Sequence, residues 1–117
     1  MTKASKVALQ ELLAKVEART ATPFDPSFEF AFYHGARDMI TKVKVADSAY
    51  HGDMNAALAL HNAVLPDWRW NVNNELSSET ADVNWWGMRG ESGRCLGNPA
   101  RAWLIAILKA LIWECDQ

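Results

Sequence analysis

Leu9, Leu12, Leu13 and Val16 recur three and four positions apart, with Lys3, Lys6, Gln10, Glu11, Lys15 and Glu17 between them. That period places the apolar residues on one stripe of a helix from about Lys3 to Arg19, and the stripe needs cover. "TATPFDP" then interrupts the pattern with two prolines. Beyond it, Asp25 as N-cap, Pro26 at the first helical position and Gly35 just past the end predict a helix over Pro26 to His34. Phe28, Phe30 and Phe32 alternate as they would in a strand, but the start and stop signals agree with one another and favour the helix. "MITKVKVA", from Met39 to Ala46, alternates apolar and polar residues and reads as a short strand or extended connection.

Asp53 caps a third predicted helix, "DMNAALALHNAVL", which buries Met54, Ala57, Leu58, Leu60 and Val64 and ends at Pro66. The period then falls to two. Trp68 to Asn74, Thr80 to Trp86 and a weaker segment from Ser92 to Leu96 are strand candidates, separated by the turn-rich "NELSSE" and "GMRGES". At "GNPARAW", Asn98 is a candidate N-cap and Pro99 a first helical residue, opening a last helix to about Cys115. The pattern predicts an α+β fold: an antiparallel β-meander covered by helices in a sandwich-like arrangement, with N-terminal helices and a buried C-terminal helix. Trp103, Leu104, Ile105, Ile107, Leu108, Leu111, Ile112 and Trp113 leave that last helix without a polar side. The expected cover is the sheet on one side and a second subunit on the other, which makes the chain a homo-oligomer.

Composition narrows the function classes. The 117 residues suit a single domain, 1–117, half apolar and 22% charged, long enough to build a core without disulfides or metal. A net charge of −2 gives no general attraction to a nucleic acid polymer or an anionic membrane. Cys95 and Cys115 form no CxxC pair, and Met1 to Thr20 is charged throughout, unlike a secretory signal. The longest apolar stretch, Ala102 to Trp113, is about twelve residues against the roughly twenty that span a bilayer. A reduced, cytoplasmic location is the expectation.

Three segments carry a family resemblance. They are "LLAKVEART" in the first helix, Tyr50, Asp53, Ala57, Leu58 and Leu60 running into "LPDWRW", and the terminal "NPARAWLIAILKALI". Together they resemble the small phage and prophage proteins grouped as the phage ABA sandwich domain, over about two thirds of the chain. The likeness rests on apolar patterning with Pro66, Trp68, Trp70 and Pro99. It implies a sheet covered by helices and a viral origin, and it supplies no catalytic motif. The chain departs from the family's commoner pattern in Phe24 to Lys44 and in "GMRGESGR".

Chemistry-bearing residues are few. Along a strand, Trp68, Trp70 and Val72 share one face and Arg69, Asn71 and Asn73 the other; in the next strand Val83 and Trp85 oppose Asn84 and Trp86. The indole face is expected to be core and the polar face solvated, with Trp86 left among polar neighbours as a subunit contact or a stacking platform. Every lysine or arginine between Val45 and Leu108 is an arginine: Arg69, Arg89, Arg94 and Arg101. Their planar forks suit phosphate and base recognition, although salt bridges to nearby acids explain them as well. Asn98 and Arg101 flank a helix N-terminus, where free amides favour an anion; Asp67 or Glu91 is the alternative partner for Arg101. His34, His51 and His61 lack metal-site spacing, and His61 near a helix end would suit a partial positive charge. Cys95 beside Arg94 has no histidine partner in the sequence, and no GxSxG, P-loop or GxGxxG motif occurs.

The expectation is a non-catalytic, cofactor-free phage-type protein that sequesters a small phosphorylated nucleotide signal of bacterial antiviral defence, a sponge. Its ligand residues would be Arg69, Asn71, Asn73, Asn84, Trp86, Arg89, Arg94, Asn98 and Arg101. The alternative is a protein-interaction module that acts through an exposed aromatic patch.

Overall fold

A computed structural model describes residues 3–20, 28, 31, 39–75, 78–85, 89–95 and 97–115. The described elements follow in the order α1 (Lys3–Ala18), α2 (Met39–Tyr50), α3 (Met54–Val64), β1 (Arg69–Glu75), β2 (Ser78–Trp85), β3 (Arg89–Arg94) and α4 (Pro99–Glu114). The three strands pair antiparallel in the order β1-β2-β3, with Trp70 opposite Val83, Val83 opposite Glu91 and Ala81 opposite Gly93.

α1 buries Leu9, Leu12 and Val16 as its period requires. It closes on Arg19, whose φ of 59° is the left-handed turn that helix ends adopt. The amides of Arg19 and Thr20 then return to the carbonyls of Val16 and Lys15, at 3.2 and 2.9 Å.

The segment expected to be a strand from Met39 to Ala46 is instead the first part of α2. Val43 and Val45 alternate, but the fully buried positions are Ala46 and Ala49, followed by Tyr50 and preceded by half-buried Val43. That is a helical stripe, and it runs on to a stop at Gly52 (φ 108°). Gly52 N–H donates to Ala49 O (3.0 Å) and Asp53 N–H to Ser48 O (3.0 Å), satisfying the last carbonyls of α2. Asp53 then caps the next helix, its side chain accepting from Ala56 N–H at 3.1 Å. Phe28 and Ala31 are helical and fully buried, while Asp25, Pro26 and Gly35, the expected start and stop of that segment, lie outside the described residues.

Strand limits also differ from expectation. Trp68 precedes β1, and β3 begins at Arg89 where the sequence suggested Ser92. "RGESGR" contains two glycines and no β-branched residue, so its strand conformation comes from pairing with β2 and packing on α4 and not from propensity.

α4 lies at the centre. Asn98 caps it by accepting from Arg101 N–H at 2.9 Å, and Pro99 opens it. It touches the three strands and three other helices described, and every residue from Ala102 to Leu108 is buried. The expected need for a second subunit to cover this helix therefore falls away: a single chain encloses it, with Leu9, Leu12, Val16, Phe28 and Leu60 joining the same apolar core.

The sheet reaches α4 through Gly93. A Cβ built there would collide with the carbonyl oxygen of Ala102 and stand 2.7 Å from Ala106 N and 2.8 Å from Ile105 Cβ. Ala102 and Ala106, both fully buried, are the small residues that admit the strand. Because the colliding atoms are mostly helix backbone, strand and helix must separate to admit a methyl group. Gly93→Ala is expected to cost about 3 kcal/mol, the upper part of the overpacking range. Chemical denaturation of the two proteins checks this, and an unchanged midpoint would refute the close approach.

Candidate functional site

One face of the sheet lies on α4, and no other described element packs on the opposite face. Gly93, buried against the helix, fixes the parity: Val72, Ala81 and Gly93 share the covered face, as do Trp70, Val83 and Glu91. The intervening rows are Arg69-Asn84-Gly90, Asn71-Asp82-Ser92 and Asn73-Thr80-Arg94. Arg69, Asn71, Gly90, Ser92 and Arg94 are exposed. The register thus brings five of the expected ligand positions, Arg69, Asn71, Asn73, Asn84 and Arg94, onto one face. Between Arg69 and Arg94 lie four residues of rise and two strand spacings, a Cα separation of roughly 16 Å.

The other expected positions do not join them. Arg89 occupies the opposite parity, paired with Trp85. Trp86, the expected stacking platform, lies outside the described residues. Asn98 and Arg101 stand on the helix that covers the far face, and their polar groups are engaged. Asn98 Nδ2 donates to Tyr50 O at 3.2 Å, Arg101 Nε donates to the same oxygen at 2.9 Å, and the guanidinium lies 4.1 Å from the centre of the Tyr50 ring. Neither Asp67 nor Glu91 was needed to explain Arg101. A cation in the first turn of α4 is unfavourable to that helix's dipole, and the last carbonyl of α2 offsets it. Of the nine expected residues, five positions therefore share one sheet face and two belong to a structural joint between helices.

The tryptophans form a second cluster at the β1 edge. Trp70 stacks on Trp103 with ring centres 4.7 Å apart, and Trp68 meets Trp113 edge-on at 6.1 Å. Trp68 is buried, but Trp70 keeps 47% of its surface exposed, so the expectation that it is a fully buried core indole is corrected. The physical reason is position: β1 ends the strand order of the described sheet, and the Trp70 ring, stacked on Trp103, is covered only in part.

His61 joins these parts and was missed as a structural hub. It is 1% exposed, its Nε2 lies 2.8 Å from Trp68 O, and Trp103 Nε1–H donates to its Nδ1 at 3.3 Å. Since Nδ1 must accept from the indole, Nε2 carries the proton and donates to the carbonyl. That fixes the neutral tautomer, and burial lowers the imidazole pKa from its usual value despite the opposing hydrogen bond to Trp68 O. The expected comfort of a positive charge near the helix end does not apply to a ring so enclosed. The signal available in sequence was a histidine on the apolar stripe of α3, beside Leu60. Glu114 has its carboxyl pushed up, by burial first and by the negative Asp67 second.

His51 follows α2 beside Tyr50, with Nδ1 2.8 Å from Asp47 O and 3.8 Å from Asp47 Oδ1. Cys95 is buried, and no three His, Cys, Asp or Glu side chains among the described residues converge on a common point suited to a metal ion. No helix among those residues is long and apolar enough to cross a membrane. No protein-family model matches the chain, and comparison with curated proteins and with solved structures returns no match.

Two outcomes follow from this geometry. The unfolded chain binds a proton at His61 more readily than the folded one, so His61's contribution is complete above about pH 6.5 and is lost as the pH falls toward its lower folded pKa. Denaturation series between neutral and mildly acidic pH should show stability falling with acid, and His61→Gln should flatten that dependence. Trp103→Ala should cost about 3–5 kcal/mol, as removal of a buried indole does, and half-exposed Trp70→Ala only about 1–2 kcal/mol. Thermal melts in the reverse order would refute the assignment.

Proposed function

We propose that the chain is a non-catalytic phage-type binding protein, and that the open face of its sheet receives a small phosphorylated nucleotide, such as a cyclic nucleotide or an ADP-ribose derivative. The observation that carries this reading is the placement of Arg69 and Arg94 at diagonal corners of a face otherwise made of Asn71, Asn73, Thr80, Asp82, Asn84, Gly90 and Ser92 positions. Guanidinium forks donate to phosphate oxygens two at a time, and amide and hydroxyl groups between them can pair with bases and ribose. The roughly 16 Å span suits an extended ligand with a charged group at each end.

In this reading the strands and α4 belong to a sandwich-like fold of the phage ABA type, a meander covered by helices, and the protein works as a homo-oligomer. It withholds an immune signal in the cytoplasm of an infected bacterium. The resemblance in "LPDWRW" and "NPARAWLIAILKALI" supports the viral origin. A second reading, a protein-interaction module, is favoured by the half-exposed indole of Trp70 at the sheet edge.

The test is calorimetry with a panel of cyclic dinucleotides, cyclic ADP-ribose isomers and linear ADP-ribose conjugates. A bound compound is expected, and Arg94→Lys, which keeps the charge but loses the fork, should weaken it about tenfold while the empty protein remains folded. Silence of the whole panel with folded protein would transfer the assignment to the interaction module.

A further inference from the structure

The two edges of the sheet are unlike. On β3, Lys109 Nζ donates to Ser92 O at 3.0 Å, so a lysine occupies a backbone acceptor of that strand, a common way of blunting an edge. β1 is seven residues long and has no proline or lysine. Arg69, Trp70 and Asn71 are exposed along it, and half-buried Val72 follows.

The order of residues in β1 is self-complementary. Turned end for end about Val72, the strand meets a copy of itself with Arg69 opposite Glu75, Trp70 opposite Asn74, Asn71 opposite Asn73, and Val72 opposite Val72. By two-fold symmetry each of the first three pairings occurs twice. Opposite charges face each other at both ends, amide residues pair between them, and a valine pair sits on the axis. On the α4 side the half-exposed Trp70 becomes diagonal to Val72 of the second copy, within reach of an indole across a strand pair.

We propose that the β1 edge is a self-association surface, on which a second copy of this chain adds antiparallel about Val72 to make one continuous sheet from two three-stranded ones. The occupant is set by charge complementarity along the strand and by the aromatic surface left uncovered at Trp70. This rests on the homo-oligomer part of the reading above and not on the ligand, and its assay contains no nucleotide. The two open faces would then lie side by side on one surface.

Sedimentation of the full chain at about 100 micromolar is expected to report twice the 13.1 kDa monomer mass. Arg69→Glu sets Glu against Glu75 of the second copy, and Glu75→Arg sets Arg69 against Arg. Each should weaken association at least tenfold while circular dichroism shows the fold of the parent. Combining the two reversals restores opposite charges and should restore the dimer. A Val72→Cys variant, oxidised gently, should give a cross-linked dimer that the parent, with Cys95 and Cys115 alone, does not. A monomeric parent would overturn the proposal and the homo-oligomer together. A dimer indifferent to both reversals, or one that the double reversal fails to restore, would overturn this interface alone. Should a charge variant fail to fold, the Val72→Cys cross-link decides, and its absence overturns the proposal.

Discussion

The approach of the β3 backbone to the α4 backbone at Gly93 is the constraint around which the rest of the fold is arranged. A sheet packed on a helix through ordinary side chains stands about 10 Å away; here one residue has no Cβ, and Ala102 and Ala106 receive it. Small residues of α4 receive β3, while its Trp103 meets Trp70 of β1 and the helix also packs on α1, α2 and α3. That division explains how a helix with no polar face can be satisfied by one short chain. It also explains why β3, poor in strand-forming residues, is held as a strand at all.

The polar groups enclosed by this packing are arranged to leave none unpaired: among the described residues every buried side-chain nitrogen or oxygen has a partner. His61 accounts for the joint among α3, the turn before β1 and α4, and Tyr50 O accounts for the joint between α2 and the start of α4. Both are places where a main-chain carbonyl would otherwise be removed from water, at a cost of roughly 1–3 kcal/mol each. The arginine and asparagine at the α4 start, which as sequence suggest an anion, are consumed by that requirement.

Much of the helical framework is legible in the sequence because helix ends are decided locally. Asp53 and Asn98 cap as their types and positions imply, and the apolar stripe of α1 is buried as its period requires. α2 is misread because Val43 and Val45 imitate alternation over a few residues, whereas the true stripe extends into "SAYHG", where the glycine stop gives the better guide. The polar face of the sheet can be read from the alternation of Arg69, Asn71 and Asn73. The Trp70 exposure cannot, since it depends on which strand lies at the edge. Nor can Gly93, whose role exists only once β3 rests on α4, or Arg101, whose partner is fifty-one residues away in the chain.

The join between α2 and α3 has a bearing on how the chain can change in length. Asp53 serves at once as the residue whose amide closes α2 and as the side chain that opens α3, so the two helices share a boundary residue and have no linker to spare. An insertion of even one residue between Gly52 and Asp53 would separate the two functions and leave one helix end without its partner. Related chains that tolerate insertions should carry them elsewhere, and the corner formed by residues 39–64 should persist as a unit of fixed length.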